Sequence, residues 1–261
     1  QQDHQAPLYQ WIPYSYLSPI LAIRKSVFKV CVLYLRIVKK IRNNFFLFFC
    51  KTFPNIRKRL WKFLYQFLVT FCKKREWSFM NYGYASEYLQ SNKRKLEKKD
   101  ECNRYFIQLY DHIVHGVSLK DRDVLEIGSG RGGGADFITR YLKPRSMVGV
   151  DLSRKAVDFC NINYNPGGLS FVNGDAEDLP FDQGSFDVVM NVESSHCYNS
   201  MNNFLNEVRR VLKPEGYFLF ADLRDDDEID LLHSQLRASK LKIVNHKDIT
   251  GNIIKAMQLD S

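Results

Sequence analysis

Asp123-Val124-Leu125-Glu126-Ile127-Gly128-Ser129-Gly130-Arg131-Gly132-Gly133-Gly134 decides the fold. A short apolar run ends at an acidic residue and passes into a glycine-rich turn. Ala135 to Leu142 then reads as a helix that stops before Pro144. Strand, glycine turn and helix form the opening unit of a nucleotide-binding α/β sheet. Gly128, Gly130 and Gly132 follow E-x-G-x-G-x-G, while Gly133 with Gly128 and Gly130 also completes G-x-G-x-x-G. The turn by itself therefore leaves NAD open. It also leaves open a tight turn that binds nothing.

Downstream, strands and helices alternate, which implies a parallel sheet with helices on both faces. Met147 to Val150 is a second strand ending at Asp151, and Ser153 caps a helix to about Tyr164. Leu169 to Val172 is a third strand, followed by Gly174-Asp175-Ala176-Glu177. Ser185 to Val192 is a fourth. Phe204, Leu205, Val208, Val211 and Leu212 mark a helix face, and Lys213-Pro214-Glu215-Gly216 turns into a fifth strand, Tyr217 to Ala221, ending at Asp222. Upstream, Asn103 to His115 reads as a helix with Phe106, Leu109, Tyr110 and Ile113 on one side.

In an open parallel sheet the ligand lies across the carboxyl ends of the strands. Glu126, Gly128, Asp151, Asp175 and Asn191 are all expected there. Asp151 stands 23 residues beyond Gly128, a place that suits a carboxylate taking two ribose hydroxyls. Asp175 and the Ala176 N–H suit an adenine edge. Arg131 is the one basic residue of the turn, so a pyrophosphate fits poorly and a cationic sulfonium fits well.

Further motifs carry a resemblance: Gly132-Gly133-Gly134-Ala135, Gly174-Asp175-Ala176-Glu177, Leu179-Pro180-Phe181, Asn191-Val192-Glu193, Ser195-His196-Cys197-Tyr198 and Ala221-Asp222-Leu223-Arg224. On these, residues 76–260 resemble a class I S-adenosylmethionine (SAM)-dependent methyltransferase. Within that class they resemble the phthiotriol/phenolphthiotriol dimycocerosate methyltransferases, which O-methylate very lipophilic diol-type lipids. The resemblance implies a Rossmann-like sheet and SAM as cofactor, held by Tyr84, Glu126, Gly128, Ser129, Gly130, Gly132, Asp151, Leu152, Asp175, Ala176 and Asn191. It implies a lipophilic acceptor, His196 as base and Asp222 as its orienter. Glu193 is the rival base, and Cys197 is read as pocket lining. A sterol- or tocopherol-type C-methyltransferase and a non-catalytic SAM-binding membrane-surface protein are the competing readings.

The N-terminal third is different. Residues 1–80 hold 15 Lys+Arg against only Asp3 and Glu76, a balance of +13, whereas the formal charge of the whole chain is +9. Residues 4–23 are uncharged but interrupted by Pro7, Pro13 and Pro19, which argues against a spanning helix. Lys25, Lys29, Arg36 and Lys40 share one helical face over residues 24–42, roughly opposite Val27, Val30, Tyr34, Val38 and Ile41. The aromatic run Phe45 to Phe49 and the cluster Arg57-Lys58-Arg59-Leu60-Trp61-Lys62 follow. This pattern suits an anionic membrane surface, with a solvated basic face as the plain alternative. No nucleic-acid motif accompanies the charge. The division expected is a basic helical extension, residues 1–75, before a methyltransferase domain, residues 76–261.

Six cysteines form no C-x-x-C pair and no metal-ligand spacing, as for ordinary thiols in a reducing compartment. The expected location is cytoplasmic, peripheral on a membrane. The chain opens on Gln1 rather than Met, which fits processing or a fragment. Past Asp222 come a helix (226–239), a sixth strand (241–244) and a short helix (251–259). No final strand is read before Ser261, so the slot between the fifth and sixth strands is expected to be unpaired.

Overall fold

The computed structural model describes residues 5–13, 78–86 and 94–260. The basic face of residues 24–42, the aromatic run 45–49 and the cluster 57–62 lie outside the described residues.

The elements are β1 (Gln5–Pro13), α1 (Arg104–Ile113), β2 (Asp123–Ile127), α2 (Gly133–Leu142), β3 (Ser146–Asp151), α3 (Arg154–Asn163) and β4 (Leu169–Asn173). There follow β5 (Phe186–Val192), α4 (Met201–Val211), β6 (Leu212–Arg224), α5 (Ile229–Ala238), β7 (Lys242–Asp248) and α6 (Thr250–Leu259). The seven strands form one sheet in the order β4-β3-β2-β5-β6-β1-β7, and every pairing is parallel.

Four expectations are corrected. The slot between β6 and β7 is not unpaired: β1 lies in it, parallel to both neighbours. Residues 5–13 are therefore a strand of the sheet rather than part of a helical extension. An interior slot exposes two rows of backbone donors and acceptors, and a strand satisfies both. Pro7 has no N–H to give, and neither register pairs it. The turn expected at 213–216 falls inside β6, as an irregularity where Phe186 faces Leu212 and Val188 faces Tyr217. Asp222 is accordingly within β6 rather than after it.

Strand alternation sorts the core into two layers. Val124, Val188, Met190 and Leu219 pack on one face with Leu109, Ile113, Phe137 and Ile138 of α1 and α2. Leu125, Val189, Phe218 and Phe220 pack on the other with Phe204, Val208, Leu232 and Leu236 of α4 and α5. At the amino edge, Lys213 and Arg145 pair with both Asp123 and Asp187. Residues 78–86 cross the carboxyl edge, with Ser78 O accepting from Gly133 N (3.1 Å) and Ala85 N donating to Asn252 O (3.1 Å). No helix among the described residues is long and apolar enough to cross a membrane.

Candidate active site

The glycine turn is bent by left-handed backbone at Gly128 (φ 73°), Gly130 (φ 54°) and Gly132 (φ 78°), where a Cβ is strained. Space is also short. A Cβ on Gly128 would collide with the Ser194 side chain and stand 3.0 Å from the Tyr198 hydroxyl, and one on Gly132 would stand 2.8 Å from the Phe171 ring.

Glu126 falls on the α1 face of β2, where the Tyr110 hydroxyl donates to its Oε1 (2.6 Å). Burial pushes its carboxyl up to about 8, the Tyr110 hydrogen bond opposing and the Asp151 charge adding. Asp151 closes β3 and accepts from Gly130 N (2.9 Å) and Ser153 N (2.8 Å). These backbone donors resist the effect of burial, which lifts Asp151 to about 6. Asn191, fully buried at the end of β5, gives Nδ2 to Ile127 O (2.9 Å) and to the Ser194 and Tyr198 oxygens (2.7 and 3.0 Å). Asp175 follows β4 and accepts from Glu177 N (3.1 Å), beside the buried Ala176. Leu152 is half-buried between Asp151 and Ser153, and Ser129 is buried in the turn.

Tyr84 is buried against α1. Its ring stacks on His112 of α1 at 4.0 Å, and its N–H donates to Tyr105 O. Tyr82 of the same segment donates its N–H to Glu193 Oε2 (2.9 Å) at the sheet edge. Glu193 itself sits at φ 49°. Burial pushes its carboxyl up to about 8, the Tyr82 N–H opposing and Asp222 adding.

His196 lies in a one-turn 3-10 helix, Ser195–Cys197, after β5. Its Nδ1 is 2.7 Å from Asp222 Oδ1, and its backbone N–H donates to Asp222 Oδ2 (3.0 Å). Burial alone would lower the imidazole pKa. The Cys197 sulfur and the Asp222 carboxylate outweigh it and hold His196 well above the ordinary range. Asp222 is wholly buried, yet Arg224 and His196 overcome burial and hold it well below the ordinary range. An ionised Asp222 at Nδ1 fixes the tautomer of the neutral ring, so that Nε2 is the nitrogen that accepts a proton once the ring has lost one. The Ser195 hydroxyl also donates to Asp222 Oδ2, and Arg224 Nη1 stands 3.2 Å from that oxygen.

Sequence reading assigned no role to Ser194, Tyr198, Ser195, Arg224 or Tyr110. Arg224 shares a face with Asp222 because β6 runs on to Arg224, past the end read from the sequence. The others come together only through the fold.

The site fits SAM. Glu126 Oε2, Asn191 Oδ1 and Glu193 Oε1 are buried acceptors with no hydrogen bond, gathered at one sheet edge beside raised carboxyls. Such a cluster suits a cation carrying amine and hydroxyl donors, and SAM brings an ammonium, a sulfonium and ribose hydroxyls. It does not suit a pyrophosphate. Arg131, the one base in the turn, is buried with its guanidinium 3.8 Å from the Phe159 ring centre.

Comparison with known proteins agrees. A methyltransferase domain family matches residues 125–220. The phthiotriol/phenolphthiotriol dimycocerosates methyltransferase of Mycobacterium tuberculosis (strain ATCC 25618 / H37Rv) is 40% identical over 200 residues, 77% of this chain and 73% of that protein. The fatty-acid O-methyltransferase of Mycolicibacterium smegmatis (strain ATCC 700084 / mc(2)155) is 38% identical over 197 residues, 76% of this chain and 71% of that one. Among solved structures, the [4+2]-cyclase SpnF shares the fold, with a TM-score of 0.54 at 18% identity over 69% of this chain and 71% of that one.

Glycine turn, acidic strand ends and Rossmann-like parallel sheet together define a SAM-dependent methyltransferase, with SAM as its cofactor. Within that class, the chain belongs to the phthiotriol/phenolphthiotriol dimycocerosates methyltransferase family.

Proposed function

We propose that this protein methylates a hydroxyl group on a lipophilic acceptor, with His196 as the base and Asp222 as the residue that orients it. The observation that carries this reading is the 2.7 Å contact between His196 Nδ1 and the buried Asp222 carboxylate. When bound, SAM supplies an electrophilic methyl group on a sulfonium. An aliphatic hydroxyl is a poor nucleophile, and its proton must leave as the methyl arrives. His196 Nε2 takes that proton, and Asp222 stabilises the imidazolium that results. Glu126, the backbone of Gly128, Ser129, Gly130 and Gly132, Asp151, Leu152, Asp175, Ala176 and Asn191 hold the cofactor, with Asp151 on the ribose and Asp175 on the adenine. Tyr84 closes on the cofactor from the N-terminal side. The names of the relatives, dimycocerosates and fatty acid, support a lipid acceptor.

Glu193 supports a second reading. It holds a buried acceptor without a hydrogen bond and a carboxyl raised to about 8, features suited to the acid of a C-methyltransferase. The deciding experiment incubates the protein with labelled SAM and a total lipid extract, identifies by mass what gains a methyl, and compares His196→Ala with Glu193→Gln. Loss of turnover in Glu193→Gln alone, with a new C–CH3 product, refutes the hydroxyl reading.

We also infer that residues 24–75 dock the protein peripherally on an anionic, cytoplasmic membrane face, where the acceptor is dissolved. The +13 balance of residues 1–80 and the interleaved aromatics support this.

A further inference from the structure

Asp222 does not belong to His196 alone. Arg224 is almost fully buried, with its Nη1 3.2 Å from Asp222 Oδ2. Its Nη2 donates to Ser195 Oγ (2.6 Å), and that hydroxyl donates in turn to the same Asp222 oxygen. Nη1 also donates to Leu223 O, and Met201 Sδ of α4 lies 3.9 Å from Nη2. The guanidinium is thus pinned from three sides. Oδ1 serves the imidazole and the Leu223 N–H (2.7 Å), while Oδ2 serves the guanidinium, the Ser195 hydroxyl and the His196 backbone.

We propose that Arg224, anchored by Ser195, is a positioning residue that sets the proton affinity of His196 by sharing the buried Asp222 carboxylate with it. The inference rests on the reading of His196 as the base. Asp222 already holds the ring's proton affinity well above that of an ordinary imidazole, and an unshared buried carboxylate would bind the imidazolium more firmly still, so that the ring became a base only at higher pH. A fixed cation on the far oxygen withdraws part of that attraction and repels the imidazolium directly. Four described groups set the charge around the ring: Asp222 and Arg224 from β6, Glu193 at the end of β5, and Cys197 on its own turn. Arg224 is the one permanent cation among them.

The test follows the six histidines by NMR of 13C-histidine-labelled protein, assigning His196 by its loss in His196→Ala, and follows kcat/KM against pH. In Arg224→Gln the His196 midpoint should rise by about one unit or more, the usual effect of a neighbouring charge. The acid limb of kcat/KM should move up with it. Each unit costs about tenfold in activity below the limb and little above it. Arg224→Lys, which keeps the charge, should return most of the shift. Ser195→Ala removes both a donor to Oδ2 and the guanidinium anchor, so it should shift the midpoint upward by less. If Arg224→Gln does not fold, Ser195→Ala carries the same test. A His196 midpoint that stays still or falls, or a loss of activity equal at every pH, overturns the proposal. Full turnover in His196→Ala refutes the base assignment instead, while the NMR midpoint still reports separately on the role of Arg224.

Discussion

Asp151→Asn separates what that carboxylate does for the cofactor from what it does for the fold. In the structure the two oxygens each take one backbone N–H, from Gly130 at 2.9 Å and Ser153 at 2.8 Å. A carboxylate offers about four lone-pair sites, so two remain for ribose hydroxyls. Asparagine keeps one acceptor oxygen and turns an NH2 toward one of the backbone donors. One buried N–H then loses its partner, a cost of about 1–3 kcal/mol to stability. The lost charge-assisted bonds to the ribose cost SAM about 1.5–3 kcal/mol, or roughly 10- to 150-fold in Kd. Two assays resolve these effects: thermal unfolding without ligand, and calorimetric titration with SAM.

The pH dependence adds a third signature. Burial raises Asp151 to about 6, and the ionised form is the one that accepts the hydroxyls. SAM affinity of the native protein should therefore weaken as pH falls through about 6. By pH 5 it should be down about tenfold, or ~1.4 kcal/mol, and the Asn variant should lack this part of the dependence. If Kd in Asp151→Asn equals the native value, or if its pH dependence is unchanged, the ribose assignment is wrong.

His196→Ala should lower turnover roughly 10²- to 10⁴-fold, the range for lost general-base help, and leave SAM affinity near native by calorimetry. Gly128→Ala should abolish measurable SAM binding and lower Tm, because φ 73° costs an alanine about 1–2 kcal/mol and its Cβ meets Ser194 and Tyr198; Gly167→Ala, with no atom within 4 Å of its Cβ, is the neutral control. The hydrogen bond from Arg145, more than offsetting burial, and those from Lys213 and Ser146 hold Asp123 well below the ordinary carboxylate range. That depression stabilises the fold above the unfolded-state pKa and is lost as pH falls through the folded one, so Asp123→Asn should shrink the drop in Tm between pH 6 and pH 3. Vesicle sedimentation should show binding to anionic bilayers that weakens with salt, and equal binding to neutral vesicles refutes the electrostatic docking of residues 24–75.

Sequence by itself determined most of the sheet, because its signals are local. The apolar runs at 123–127, 146–151, 169–173 and 186–192, the Ser153 cap and the glycine turn each depend on neighbours within a few residues. Parallel pairing then follows from alternation, and alternation puts Glu126, Asp151, Asp175 and Asn191 on one edge. The His196–Asp222 pairing was legible through resemblance, and the structure brings the two side chains to 2.7 Å. Tertiary structure alone decided the rest. That Gln5–Pro13 enters the sheet more than two hundred residues from its partners has no local signature, because it depends on which slot is left open. The stacking of the Tyr84 ring on His112 of α1 likewise joins residues far apart in the chain and has no local signature. Arg224 reads in the chain as one more basic residue. Only the fold, by burying Asp222 beside it and bringing Ser195 down from the turn after β5, makes it a second cation on the carboxylate that holds His196.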